Sequence, residues 1–147
     1  SRFNKGITAI YNISASKSTQ KKVALLFKKV GMVIDIQKES HMDDFTGLMG
    51  SGPAYFFYLL QVYEKRILKL SNGDLEKKNL MISNLLDGIS KSIGSGETTD
   101  ALIKAVSSKK GTTEAGIKSF QSSQLLKSFD KGIAAAIKRS KEISSEF

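Results

Sequence analysis

Two patterns of apolar residues follow one another along this chain of 147 residues. The stretch Gly6-Ile7-Thr8-Ala9-Ile10-Tyr11-Asn12-Ile13 is rich in β-branched and aromatic side chains and predicts a strand over residues 6–13. Ser16-Lys17-Ser18-Thr19 then supplies N-cap candidates, and Val23, Leu26, Phe27 and Val30 recur at helical spacing. Gly31 is expected just past the end of that helix, where a left-handed residue commonly closes it. Met32-Val33-Ile34-Asp35-Ile36 predicts a second strand. Residues 1–38 thus predict strand–helix–strand, one unit of an α/β sheet. Two strands and one helix do not make a stable sheet alone. The segment is therefore expected to be the truncated tail of a larger α/β domain.

From about residue 42 the pattern turns helical. Residues 52–71 predict one helix, with Pro53 tolerated in its first turn. Asn72-Gly73-Asp74 predicts a turn, with Asp74 capping the next helix, in which Ile82, Leu86, Ile89 and Ile93 form a stripe. Gly94-Ser95-Gly96 ends it. Thr99 is expected to cap a short helix carrying Leu102, Ile103 and Val106, and another begins near Thr112 with Ala115, Ile117 and Phe120. A last helix from about Leu125 to Ile143 is expected to bury Leu126, Phe129, Ile133 and Ile137.

The long helix departs from the amphipathic rule. From Ala54 to Leu60 it is apolar on every side, and such a helix must be covered all round. Either the chain buries it alone or it is shared between two protomers, like a core cut in half. A helical module of this size has little material for the first, so the second is expected.

Composition narrows the chemistry. With no cysteine and one histidine, His41, there is no thiolate metal site, disulfide framework or histidine cluster, and no metal is expected. The net charge is +9, with residues 1–40 and 101–147 basic and residues 41–100 slightly acidic. A basic balance raises nucleic acid as a partner. Against it, only Arg2, Arg66 and Arg139 are arginine, and base readout favours the guanidinium fork over lysine. Neither nucleic acid nor membrane is the expected partner. No apolar run approaches the roughly 20 residues that cross a bilayer, and Arg2-Phe3-Asn4-Lys5 leads into a β-like run with no signal-peptide pattern. The expectation is a cytoplasmic protein.

Two loops carry candidate chemistry. Gly50-Ser51-Gly52-Pro53-Ala54-Tyr55 is glycine-rich but is no dinucleotide fingerprint, because Tyr55 stands where a third glycine is required. Ser107-Ser108-Lys109-Lys110-Gly111-Thr112-Thr113-Glu114 brings hydroxyls, a glycine and two lysines to a predicted helix start. Plain capping with solvated lysines is one reading. The other is an anion site for a carboxylate or phosphate, with Thr112 or Thr113 as the cap.

Asp43-Asp44-Phe45-Thr46-Gly47-Leu48-Met49-Gly50-Ser51-Gly52-Pro53-Ala54-Tyr55 resembles the D-x-x-T-x-L-x-G-S-G-P-A-Y signature of pyrroline-5-carboxylate reductase. About 50 residues on, Val106-Ser107-Ser108-Lys109-Lys110-Gly111-Thr112-Thr113-Glu114-Ala115-Gly116-Ile117 resembles that family's V-x-S-P-G-G-T-T-x-A-G-L. The ending Ala134-Ala135-Ala136-Ile137-Lys138-Arg139-Ser140-Lys141-Glu142 resembles its A-x-x-A-x-x-R-S-x-E close. The match covers residues 6–143 in order and spacing, and Ser40-His41-Met42 falls in the family's linker, so His41 is assigned no chemical role.

The resemblance implies a mainly α chain. A truncated tail of the Rossmann domain, residues 1–38, precedes a helical dimerisation and substrate-loop domain of about five helices, residues 39–147. It implies an NADPH- or NADH-dependent reductase that converts pyrroline-5-carboxylate to proline, working as a homodimer. Ser108, Gly111, Thr112 and Thr113 occupy the loop that holds the substrate carboxylate, and Thr113 is the catalytic candidate, with its hydroxyl near the ring nitrogen. Two departures stand out. Lys109-Lys110 replaces the family's Pro-Gly, so the loop need not keep the family shape. No strand leads through G-x-G-x-x-G into a helix, so the chain alone is expected neither to bind the cofactor nor to catalyse. A separate cofactor-binding half is a candidate partner. A non-catalytic dimeric remnant or interaction module is the alternative, and a basic nucleic-acid-binding module the third reading.

Overall fold

Strand β1 (Gly6–Tyr11) and strand β2 (Gly31–Ile36) flank helix α1 (Lys17–Phe27). The computed structural model describes residues 4–146. The strands pair in parallel, Gly6 opposite Gly31 through Tyr11 opposite Ile36. This is the expected strand–helix–strand unit. Ser16 caps α1, its hydroxyl accepting the Thr19 N–H at 3.2 Å. Gly31 does not close that helix: Lys28 is the C-cap, and Gly31 opens β2. Its φ of 153° and the Gly6 backbone explain the glycine there, because a Cβ would collide with the Gly6 carbonyl.

Helix α2 (Ser40–Phe45) runs into a π-helical turn, Thr46–Gly50. Then come α3 (Gly52–Leu70), α4 (Leu75–Ile93), α5 (Thr99–Ala105), α6 (Thr112–Ser122) and α7 (Leu125–Ser144). The chain is therefore mainly α with a short parallel β pair, as expected. No helix among the described residues is long and apolar enough to cross a membrane.

Local chemistry explains the joints. At the end of α3, Asn72 has a φ of 52°, the Gly73 N–H donates to the Leu68 carbonyl at 2.9 Å, and the Asn72 N–H to Lys69 at 3.3 Å. These are the two bonds of a Schellman closure, which needs a left-handed residue such as asparagine. Asp74 caps α4 as expected, accepting the Lys77 N–H at 2.9 Å. The cap of α5 is Thr98 rather than Thr99, its hydroxyl accepting the Ala101 N–H at 3.2 Å. The two adjacent threonines are equivalent in chemistry, and chain geometry picks between them.

Two compact units divide the chain, one of residues up to Pro53 together with those from Asp130, the other Ala54–Phe129. In the first, Asp43 on α2 accepts the hydroxyls of Ser140 and Ser144 on α7, at 2.7 and 3.0 Å. Thr46 donates to the Met42 carbonyl at 2.8 Å. In the second, Lys78 of α4 reaches Glu64 of α3 at 2.9 Å, and Tyr55 meets Phe129 edge-to-face with ring centroids 6.2 Å apart.

Burial is the unusual feature. Among the described residues only Gly47, Gly52, Ser71 and Ile82 are buried. Phe56, Phe57 and Tyr58 are 62, 68 and 72% exposed. The stripe of α4 is buried only at Ile82, whereas Leu86, Ile89 and Ile93 are exposed. On α7, Leu126 is 80% exposed, against the expectation of burial, while Phe129, Ile133 and Ile137 are half-buried. The periodicity marks the apolar faces correctly, but one chain does not bury them.

Candidate functional site

The segment between α5 and α6 forms a tight turn on the start of a helix. Ser107 closes α5, its hydroxyl donating to the Ile103 carbonyl at 2.7 Å and its N–H to Lys104 at 3.2 Å. The Gly111 N–H then donates to the Ser108 carbonyl at 2.9 Å, closing a four-residue turn through Lys109 and Lys110. Lys110, the third residue, has a φ of 60°. Turns with a positive φ at that position ordinarily place glycine there. The turn thus forms without the proline and glycine that favour it.

Gly111 is the N-cap of α6, with φ −82° and ψ 172°. Neither Thr112 nor Thr113 is the cap, in contrast to expectation; they are the first two helical residues. Gly111 is required by space and not by backbone angle. A Cβ there would collide with the Ser108 hydroxyl and stand 2.9 Å from the Ser108 carbonyl oxygen. The N–H groups of Thr112, Thr113 and Glu114 start the helix and have no partner within it. The helix dipole points its positive end at the same place. Ser108, Gly111, Thr112 and Thr113 therefore share one turn-and-helix junction inside the Ala54–Phe129 unit.

Glu114 has a part in this junction that the sequence motif alone does not assign to it. One of its carboxylate oxygens accepts the Lys110 N–H at 2.6 Å, and the other pairs with Lys118 one turn along α6. The Lys118 ammonium bond, the Lys110 N–H and the Lys118 charge together hold its carboxyl below the usual carboxylate range. A legible signal existed: an acid at the third helical position is where a side chain reaches back to free backbone N–H groups.

The glycine-rich loop has a different character. It follows the π-helical turn and not a strand, the Ser51 N–H donates to the Thr46 carbonyl at 3.0 Å, and the chain passes directly into α3. This is not the strand-to-helix turn that cradles a pyrophosphate. Its neighbours do structural work instead. A Cβ on Gly47 would stand 2.5 Å from the Ile137 side chain, so α7 packs directly on this backbone. With Asp43 bonded to Ser140, the first and third motifs meet in one unit. No group of three or more metal-ligating side chains occurs among the described residues. His41 lies within α2 on a concave apolar surface with Ile7, Met32, Ile34 and Phe45.

Comparison with known proteins decides the affiliation. Residues 39–143 match the family described as pyrroline-5-carboxylate reductase dimerisation. The chain belongs to the pyrroline-5-carboxylate reductase family. It is 35% identical over 131 residues to pyrroline-5-carboxylate reductase 1 of Bacillus spizizenii, covering 89% of this chain and 44% of the relative. To pyrroline-5-carboxylate reductase of Staphylococcus aureus it is 37% identical over 123 residues, covering 82% of this chain and 44% of the relative. A solved pyrroline-5-carboxylate reductase of Streptococcus pyogenes superposes with a TM-score of 0.83 at 26% identity, covering 96% of this chain and 54% of that one. The Coxiella burnetii enzyme gives 0.82 at 27%, covering 95% and 52%. A Plasmodium falciparum pyrroline carboxylate reductase solved with NADP bound shares the fold, with a TM-score of 0.77 at 23% identity over 95% of this chain and 53% of that one. The chain thus carries the family's dimerisation domain and spans about half the length of the relatives it matches.

Proposed function

We propose that this chain is the substrate-binding and dimerising half of a pyrroline-5-carboxylate reductase. The carrying observation is the Ser108–Gly111 turn, closed at 2.9 Å in spite of Lys109-Lys110, in a chain of this family. In the proposed site the substrate carboxylate lies against the free N–H groups at the start of α6. Ser108, Thr112 and Thr113 add hydroxyl donors, and Gly111 leaves room for close approach. Thr113 places its hydroxyl near the ring nitrogen, which gains a proton when the C=N carbon is reduced to give proline. NADPH or NADH binds outside these 147 residues, in an α/β half that we propose completes the enzyme in the cytoplasm. Residues 1–38 are the tail of that α/β domain and residues 39–147 the helical domain. In support, β1 and β2 alone fall short of a stable sheet, and Ile7 and Met32 are exposed on it.

The active form is proposed to be a homodimer. The exposed rings of Phe56, Phe57 and Tyr58 and the exposed stripe of α4 supply the apolar surface that a shared core needs.

NMR titration with proline tests the site, since proline shares the ring and carboxylate of the substrate. Amides of residues 108–114 are expected to shift first, weakly, and Thr113→Ala to reduce the response. Shifts confined to another region, or none at tens of millimolar proline, favour the alternative of a dimeric remnant without catalysis.

A further inference from the structure

We propose that Glu114 is a positioning residue for the loop that presents Thr112 and Thr113: its carboxylate, by accepting the Lys110 N–H, holds a lysine in the left-handed conformation that the turn demands. The proposal rests on reading this loop as the substrate-carboxylate site.

The turn Ser108-Lys109-Lys110-Gly111 is closed by the Gly111 N–H on the Ser108 carbonyl at 2.9 Å, and Lys110 has a φ of 60°. For a residue with a Cβ, that region crowds the side chain against the following carbonyl. Turn chemistry offers a local answer, proline at the second position and glycine at the third. The chain has Lys109 and Lys110 at those positions. The preference for this turn must therefore come from outside the dipeptide.

Glu114 supplies it. It lies on the first turn of α6, one oxygen 2.6 Å from the Lys110 nitrogen and the other held by Lys118 on the same helix. A hydrogen bond to an ionised acceptor is stronger than one between neutral groups. The carboxylate thereby ties the third residue of the turn to the helix that the turn introduces. Rotating Lys110 to a relaxed backbone angle breaks this bond and swings Gly111, whose N–H closes the turn.

The role makes a prediction that charge alone reverses. Glu114 is an anion at the helix start where an anionic ligand is proposed to bind. If it acted only through its charge, removing it would tighten carboxylate binding. If it positions the loop, removing it weakens binding.

The experiment compares the full chain with Glu114→Gln, Glu114→Ala, and Glu114→Ala combined with Lys109→Pro and Lys110→Gly, against that double substitution alone. Two quantities are read: proline affinity by NMR, and hydrogen exchange of the amides at 110 and 111 without proline. Glu114→Ala is expected to weaken proline about tenfold and to speed exchange at both amides. Glu114→Gln, which keeps an acceptor oxygen, should retain most of both. In the Pro-Gly background, where the dipeptide sets the turn, Glu114→Ala should change either quantity by less than about twofold. Tighter proline binding in Glu114→Ala, unchanged exchange, or an equal loss in both backgrounds overturns the proposal. If proline shifts nothing at 108–114 in the unmodified chain, the substrate reading fails, and the exchange measurements still decide the positioning role.

Discussion

Gly47, in the π-helical turn, and Ile137, on α7, are packed backbone to backbone: a Cβ on Gly47 would stand 3.0 Å from the Ile137 nitrogen and 3.2 Å from its Cα. Space for a side chain is missing on the glycine side, and the Ile137 backbone, fixed within a helix, cannot yield. Gly47→Ala is therefore expected to destabilise the fold by about 1–3 kcal/mol, the usual cost of overpacking. Denaturant unfolding at fixed protein concentration measures it, and a loss below about 0.5 kcal/mol contradicts the close packing.

Light scattering on a sizing column is expected to give about twice the 16.1 kDa chain mass. Phe57, 68% exposed in one chain, is the sensitive position. Covering a phenylalanine contributes about 1.5–3 kcal/mol, so Phe57→Glu is expected to weaken self-association at least tenfold. A clean monomer at tens of micromolar protein argues against the shared helix.

Fluorescence titration of this chain with NADPH is expected to show no saturable binding in the micromolar range. The glycine-rich loop follows a π-helical turn and lacks the strand that precedes a pyrophosphate cradle. Adding an α/β half from a relative is expected to restore binding and, with it, reduction of pyrroline-5-carboxylate. Tight stoichiometric binding by the chain alone counts against the proposed division of labour.

The Glu114 carboxyl should titrate below an unstructured glutamate. Lys118 hydrogen-bonds it, the Lys110 N–H adds to this, and both favour the charged form. Its folded pKa is lowered, so its contribution is fully present above the ordinary glutamate value and is lost as pH falls from there through the folded value. NMR titration should show the Glu114 carboxyl and the Lys110 amide moving together, with one midpoint below that of free glutamate. A midpoint at or above the free value rules out the two bonds.

Much of this protein was legible in its sequence because the signals are local. The β-branched and aromatic run at Ile7–Tyr11, the helical spacing from Val23 to Phe27 and the Asp74 cap depend on neighbours a few residues away, and the structure follows them. Motif spacing carried the family itself. The cap of α5 falls on Thr98 and not Thr99 because two adjacent hydroxyls compete and chain geometry selects one, whereas α6 is capped by Gly111, which has no hydroxyl, because the turn from Ser108 leaves no room for a side chain there. Glu114 was readable only as an acid near a helix start; that it takes the Lys110 N–H depends on the path of the turn.

Tertiary structure decided the pairings between distant residues. Asp43 lies 97 residues from Ser140, and no local pattern shows that its carboxylate accepts that hydroxyl. Gly47 is a glycine because Ile137 arrives from the other end of the chain. The sequence by itself determined which faces are apolar, because periodicity along one helix does that. Only the folded chain showed that Phe56, Phe57 and Leu126 remain uncovered by it, because burial depends on what surrounds a face and not on the face itself.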